Sequence, residues 1–302
     1  MIRSLRDTWG LMRRNKVGYL MMAPYLIIFL VFTVLPVIVS MFLSLTYYNG
    51  FSDALYVGFS NFIRLFSKEP VFITALQNTV VLAIITGPLS YLLCFGLAWV
   101  INEFSSKFRS FLTLLFYAPS ISGQAFVIWT IILSGDYYGV INGFLLNLGL
   151  INEPIQFLTD PKYMMASVIA VQLWLSLGTS FLAFIAGFQG IDRTLYEVAA
   201  IDGVRNRFQE VWYISIPCMK PILMFGALMQ ITASLAVGVV PRILTGFPST
   251  DYATHTVESY LIDFGRIRFE IGYSSAVAVV LFIIMVGVNR LIQRFINSTS
   301  GV

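Results

Sequence analysis

Six long stretches of this chain carry no charge, and that feature decides what it can fold into. No Asp, Glu, Lys or Arg occurs in residues 17–52, 70–102, 110–135, 163–191, 221–241 or 271–289. Each stretch reaches or exceeds the ~18 apolar residues that mark a candidate bilayer span. A helix on the core of a water-soluble domain shows a polar stripe at a period of ~3.6 residues, and these stretches have no charged stripe. Composition agrees, with 58% hydrophobic and only 11% charged residues, against roughly 25% charged in a soluble domain. A disordered chain, a basic nucleic-acid-binding domain and an ordinary cytosolic enzyme are excluded. The expectation is an all-α integral membrane protein with spans at about 17–46, 76–102, 109–134, 163–190, 221–241 and 271–289.

The intervening charges orient these spans. Lys and Arg concentrate on cytoplasmic loops. With the N-terminus inside, the inner pieces carry Arg3, Arg6, Arg13, Arg14, Lys16, Lys107, Arg109, Arg193, Arg205, Arg207, Lys220, Arg290 and Arg294. The outer pieces carry Arg64, Lys68, Lys162, Arg242, Arg266 and Arg268. The asymmetry places both termini in the cytoplasm, with residues 1–16 as an inner segment, 17–296 as the membrane domain and 297–302 as an inner tail. Arg13, Arg14 and Lys16 ahead of an apolar run imitate a secretory signal. The run Val17–Leu45 far exceeds the ~7–15 residues of a signal core, so it reads as an uncleaved first helix. The charge-free stretch 137–152 is broken by Gly139, Gly143, Asn147 and Gly149 and reads as an outer loop with one surface helix.

Prolines punctuate the spans. Pro24, Pro36, Pro88 and Pro119 fall inside them and Pro241 is expected to end the fifth. Each removes a backbone donor and can kink its helix, an arrangement that suits helices around a cavity. Ionisable groups, which coupled carriers usually hold within the bilayer, are missing from all six stretches. The sequence has no GxxxxGK[ST], GxSxG or HExxH pattern, so no catalytic residue is assigned. With Cys94, Cys218 and His255 as its complete Cys/His set, no metal site is expected. The two cysteines, one in a span and one in a cytoplasmic stretch, are not expected to pair.

The longest inner polar stretch is residues 192–220, DRTLYEVAAIDGVRNRFQEVWYISIPCMK. Thr194 with Glu197 has the spacing of a capping box and predicts a short helix over Leu195–Asp202. Gly203 is its left-handed stop. Asn206 with Gln209 repeats a cap-like spacing and predicts a second short helix to about Ile214, with Pro217 and Pro221 bounding the segment. Ala199 and Ala200 leave one side thin enough to enter a partner's groove.

This loop resembles the EAA loop of ABC importer permeases, whose pattern is Glu-Ala-Ala, three residues, Gly, about nine residues, then Ile-x-Leu-Pro. Glu197, Val198, Ala199, Gly203, Ile214, Ile216 and Pro217 occupy those places here. Val198 replaces the first Ala, Ile216 replaces Leu, and ten residues rather than nine separate Gly203 from Ile214. Residues 23–45, 56–66, 108–135, 139–150 and 201–221 resemble segments of the carbohydrate-uptake class, in particular the branch of maltose and glycerol-phosphate permeases. The resemblance implies a six-helix type I importer permease bundle with cytoplasmic coupling helices in a bacterial-type cell (inner) membrane. Glu197, Val198, Ala199, Ala200, Asp202, Gly203, Ile214 and Pro217 would then be the ATPase-coupling residues. It also implies a second permease subunit, two ATP-binding subunits and an extracytoplasmic solute-binding protein, with ATP and Mg used by the ATPase partners and no cofactor held by this chain. The substrate class implied is a sugar or oligosaccharide, with amino-acid or phosphate permeases as the alternative within the same family and an ATP-independent secondary carrier as the lesser alternative outside it. On depth alone, the substrate-binding candidates are Gln124, Trp129, Gln172, Trp174, Ser176, Gln230 and Ser234, with interhelical packing as the competing role of the amides. Trp99 and Trp212 read as markers of the membrane surface.

Overall fold

A computed structural model describes residues 15–299, with side chains as far as Arg294. Arg3, Arg6, Arg13 and Arg14 of the expected inner segment, and residues 300–302 of the expected tail, lie outside the described residues. The described residues open with α1 (Lys16–Phe29), a π-helical turn (Leu30–Val34) and α2 (Leu35–Leu43), followed by a small hairpin of β1 (Thr46–Tyr47) and β2 (Leu55–Tyr56). Next come α3 (Ser60–Ser67), the long α4 (Pro70–Asn102), α5 (Ser106–Ile121), α6 (Ile128–Ile132) and α7 (Val140–Asn147). Then follow α8 (Pro161–Leu175), α9 (Thr179–Gln189), α10 (Arg193–Ile201), α11 (Arg207–Glu210), α12 (Ile216–Cys218) and α13 (Lys220–Leu235). The chain closes with α14 (Val239–Leu244), α15 (Val257–Ile262) and α16 (Ile271–Thr299). Four segments are long and apolar enough to cross a membrane, and six if each bent pair of helices is one crossing.

The charge-free stretches coincide with these apolar segments, but several are not the continuous rods that the sequence suggests. The first ends at Leu43 rather than near 46, and the second begins at Pro70, six residues before the expected 76. The third is broken at residues 122–124, where α5 and the helical piece Ala125–Ile132 meet at 84°. The fourth is broken at 176–178, where α8 and α9 meet at 42°. Gly123, with φ +65°, sits in the first break, a conformation glycine adopts without steric cost. Pro241 does not end the fifth helix. α13 already stops at Leu235, and Pro241 lies in the first turn of α14, where its missing donor is not needed. The last helix runs on to Thr299, past the expected 289. The surface helix expected in 137–152 is α7.

Two of the prolines explain local widening. The π turn Leu30–Val34 precedes Pro36, and the π turn Val211–Ser215 precedes Pro217 at the same offset. A proline ring clashes with the carbonyl four residues back, and a one-residue expansion moves that carbonyl aside. Leu35 N–H accordingly reaches Leu30 O, and Ile216 N–H reaches Val211 O.

The described chain forms two compact units. One comprises residues up to 65 with Asp263–Val280. Within it, Asn61 donates to the carbonyls of Ser44 and Thr46, both at 2.9 Å, and closes the hairpin. Arg64 pairs with Glu270 and lies 4.3 Å from the Tyr273 ring centre. The second unit, Phe66–Ile262 with residues from 281 on, holds the main bundle. There α4 packs along α9 and α13, and α9 packs on α13. Phe181, Phe184 and Cys94 are fully buried at the centre, with Tyr91 edge-on to Phe184 at 5.4 Å. Gly226 of α13 faces the Phe184 ring so closely that a Cβ would overlap it. Small residues allow such approaches between membrane helices, where packing drives association.

Candidate functional site

Two places in the second unit combine several of the singled-out residues. The first is a cavity of about 240 Å³ between α4, the α8–α9 break and α13. Gln172, Ser176, Gln230 and Ser234 all line it. So do Thr86, Ser90, Thr179, Ser180 and Met229, which the sequence reading did not single out. Thr86 and Ser90 flank Gly87-Pro88, and hydroxyls beside a proline in a charge-free run were the available signal. Trp129 and Trp174 instead pair with each other, with ring centres 5.7 Å apart, against Phe126, Val171, Val240 and Leu244. Trp174 also lines a separate apolar cavity of about 480 Å³ with Phe116, Pro119 and Leu177. Gln124 is exposed in the 84° break and does not line the polar cavity.

The two glutamines of the polar cavity differ in what they have left to offer. Gln230 is buried, and its Nε2 donates to Cys94 Sγ at 3.0 Å and to the Ser176 carbonyl at 3.1 Å. Its donors are thus used to tie α13 to α4 and to the end of α8. Gln172 is half-buried and makes no hydrogen bond to any described residue, so its amide is available to a ligand. The hydroxyls of Thr86, Ser90, Ser176 and Ser234 donate to carbonyls of their own helices at 2.6–3.1 Å. That leaves their oxygens as acceptors. The cavity therefore offers uncharged hydrogen-bonding groups in a low-dielectric surrounding, where an unpaired ionic ligand would be costly.

The second place is the knob of residues 192–220. α10 starts two residues earlier than the Thr194–Glu197 spacing suggests. Asp192 is its N-cap, accepting from Thr194 N–H at 3.0 Å, and Thr194 already lies within the helix. Aspartate caps as well as threonine does, and Glu197 falls in the second turn, beyond reach of the cap. At the other end Gly203 takes φ +96°. Val204 N–H reaches Ala199 O at 2.9 Å and Gly203 N–H reaches Ala200 O at 3.4 Å, the paired bonds of a Schellman stop. Asn206 caps α11, accepting from Gln209 N–H at 2.8 Å, and Gln209 Oε1 accepts from Arg205 N–H at 2.9 Å. The second helix does not end near Ile214. It continues through the π turn and α12 as far as Cys218, because the widened turn accommodates Pro217.

Both ends of α10 are thus fixed, and its two faces differ. Tyr196 and Ala199 pack inward, with Tyr196 Oη 3.0 Å from Ser215 Oγ. Burial pushes the Tyr196 phenol above its ordinary pKa of 10.0. Ile214 is buried beneath this contact. On the opposite face Leu195, Val198 and Ile201 are 43%, 54% and 85% exposed. Their spacing of three residues makes one apolar stripe. Glu197 is exposed beside it and Ala200, Asp202 and Pro217 are exposed as well. Glu197 also borders a cavity of about 800 Å³ that reaches the end of α4.

Comparison with known proteins completes the picture. Residues 90–300 match the family described as "Binding-protein-dependent transport system inner membrane component". The chain is 31% identical over 286 residues to the probable ABC transporter permease protein YesP of Bacillus subtilis, covering 93% of this chain and 91% of that protein. It is also 31% identical over 286 residues to the lactose transport system permease protein LacF of Rhizobium radiobacter, covering 92% and 93%. Among solved structures, it is similar to a chain of a bacterial alginate ABC transporter in complex with an alginate pentasaccharide-bound periplasmic protein. The TM-score there is 0.74 at 25% identity, covering 95% of this chain and 98% of that one.

Proposed function

The chain belongs to the family of binding-protein-dependent transport system inner membrane components, and from that premise we propose that it is a permease subunit of an ATP-driven importer for a sugar or oligosaccharide. It is a multi-pass membrane protein with both termini in the cytoplasm, the arrangement its Lys and Arg distribution favours. A second permease completes the path, two ATP-binding subunits supply energy from ATP and Mg, and an extracytoplasmic solute-binding protein delivers the substrate. This chain itself performs transport rather than catalysis. The relatives named for lactose and alginate support the substrate class, as do the uncharged hydrogen-bonding groups around Gln172.

The observation that carries the coupling role is the exposed stripe Leu195–Val198–Ile201 on a helix fixed at both ends. Amphipathic helices of this kind seat their apolar anchors in a partner's groove. ATP-driven closure of the ATPase pair pulls the knob, and the broken helices exchange inward- and outward-facing openings around the midplane cavity, as in alternating access. Residues 197–203, Ile214 and Pro217 form and support the docking element. The test is Glu197→Lys in the assembled importer. The variant is expected to remain in the membrane with its partners while ATP hydrolysis no longer drives uptake. Uptake per ATP at the unaltered level would refute the assignment of Glu197.

A further inference from the structure

The coupling knob is tied to the wall of the midplane cavity at a second point. Arg207, the first residue of α11, lies 3.3 Å from the Glu103 carboxylate and 2.7 Å from Glu210. One helical turn before Glu103, the Trp99 indole meets the Phe208 ring edge-on at 5.1 Å. Glu103 is the C-cap of α4, and α4 carries Thr86 and Ser90 into the polar cavity. The distance along the helix from Glu103 to Ser90 is about 20 Å at ~1.5 Å per residue. At that far end stands Pro88, a point where the helix lacks a backbone bond and can bend.

The charges of this pair oppose the helices that bear them. A carboxylate at a helix C-terminus and a cation at a helix N-terminus both work against the backbone dipole. Local helix stability therefore does not account for Glu103. Glu103 is compensated by Arg207 on the other element, while Arg207 is shared between Glu103 and Glu210 of its own helix. An ion pair at 63% and 40% exposure contributes little to stability. A contact of that kind, backed by an aromatic pair, suits transmission of a displacement better than it suits holding the fold.

We propose that Glu103 and Arg207 are a positioning pair that passes movement of the coupling knob to α4, so that nucleotide state at the knob sets the opening of the cavity at Ser90. The proposal rests on the coupling role assigned to residues 192–220 above. It assigns to α4 a direct drive, separate from the drive that reaches α13 through α12 and the turn at Met219.

The test uses the complete importer, purified with its own partner subunits, carrying Ser90→Cys as reporter and Cys218→Ser to remove the exposed thiol. Cys94 is fully buried. The readout is the rate of labelling by a charged maleimide with and without ATP–Mg. With the native pair, ATP–Mg changes the rate. In Glu103→Gln or Arg207→Gln the ATP-dependent change is expected to fall about fivefold, the scale of a weak coupling contact. The exchanged pair Glu103→Arg with Arg207→Glu, made together with Glu210→Gln so that the new carboxylate at 207 meets no like charge, is expected to restore it. Three outcomes overturn the proposal: no ATP effect with the native pair, unchanged single variants, or an exchanged pair that assembles but does not restore the effect. Glu197→Lys run alongside separates the two levels. If it abolishes the ATP effect while the pair variants are silent, only the tether falls. If Glu197→Lys is silent too, the coupling role of the whole loop falls with it.

Discussion

Gln172 and Gln230 are chemically identical and sit in one cavity, yet their surroundings give them different work. Gln230 has used both amide hydrogens, on Cys94 and on the Ser176 carbonyl that the α8–α9 break frees. Gln230→Leu removes both bonds, and polar contacts between membrane helices are worth ~0.6–1.7 kcal/mol. The expected result is a fall of a few degrees in the thermal transition of the detergent-purified protein, at about the cost of one such contact. Gln172→Leu removes no internal bond. It should leave that transition in place and weaken uptake about tenfold, the equivalent of ~1.4 kcal/mol in lost substrate contacts. If both variants melt at the parent temperature, the packing role of Gln230 is wrong. The sequence marks both positions as polar groups at depth. It does not say which is spent, since that depends on Cys94 and Ser176 arriving from other elements. The tryptophans show the same gap, because Trp129 and Trp174 satisfy each other's faces rather than the cavity.

Elements were legible where a short-range rule dominates. The Gly203 stop, the Asn206 cap and the surface helix α7 follow from spacing and backbone permissiveness, which no distant contact alters. The start of α10 was misplaced because Asp192 and Thr194 compete for one role and the nearer rule, the Thr–Glu spacing, is not decisive. That assignment is open to measurement. Asp192→Ala should destabilise the first turn of α10 by about 1 kcal/mol, the typical worth of an N-cap. Thr194→Ala should be nearly neutral. Hydrogen exchange of the amides of residues 193–197 reads the difference, and faster exchange in Thr194→Ala than in Asp192→Ala would return the cap to Thr194. Helix breaks within the third and fourth crossings were not legible. Gly123 and Gly178 are weak signals in apolar runs, where tertiary packing decides whether a helix bends or continues. The π turns Leu30–Val34 and Val211–Ser215 are a partial exception, since both stand at the same offset before a proline, whereas the π turn Asp263–Ile267 has no such mark.

At the scale of the whole molecule, the absence of charge in six stretches was enough to give the class, because each bilayer span imposes its own composition; the described helices supply four apolar spans, or six where each bent pair counts as one. The energy source proposed above lies in partner subunits, and the stripe on α10 is the surface proposed to receive them. Leu195, Val198 and Ile201 are exposed on the face of α10 turned away from the packed Tyr196 and Ala199. Ile201, at 85% exposure, is the most prominent of the three. If the stripe seats in an ATPase groove, Ile201→Asp places an unpaired carboxylate in an apolar contact, which costs several kcal/mol. Association should weaken by about 100-fold or more, at ~1.4 kcal/mol per factor of ten. Co-purification of the ATP-binding subunit with the tagged chain in mild detergent would then be lost, while Ile201→Leu, which keeps the apolar contact, retains it. The partner permease should stay bound in both, because residue 201 lies outside the apolar helices. Retention of the ATPase by Ile201→Asp would show that the stripe is not the docking face, and release of the permease as well would show that the substitution disturbs the bundle rather than the joint.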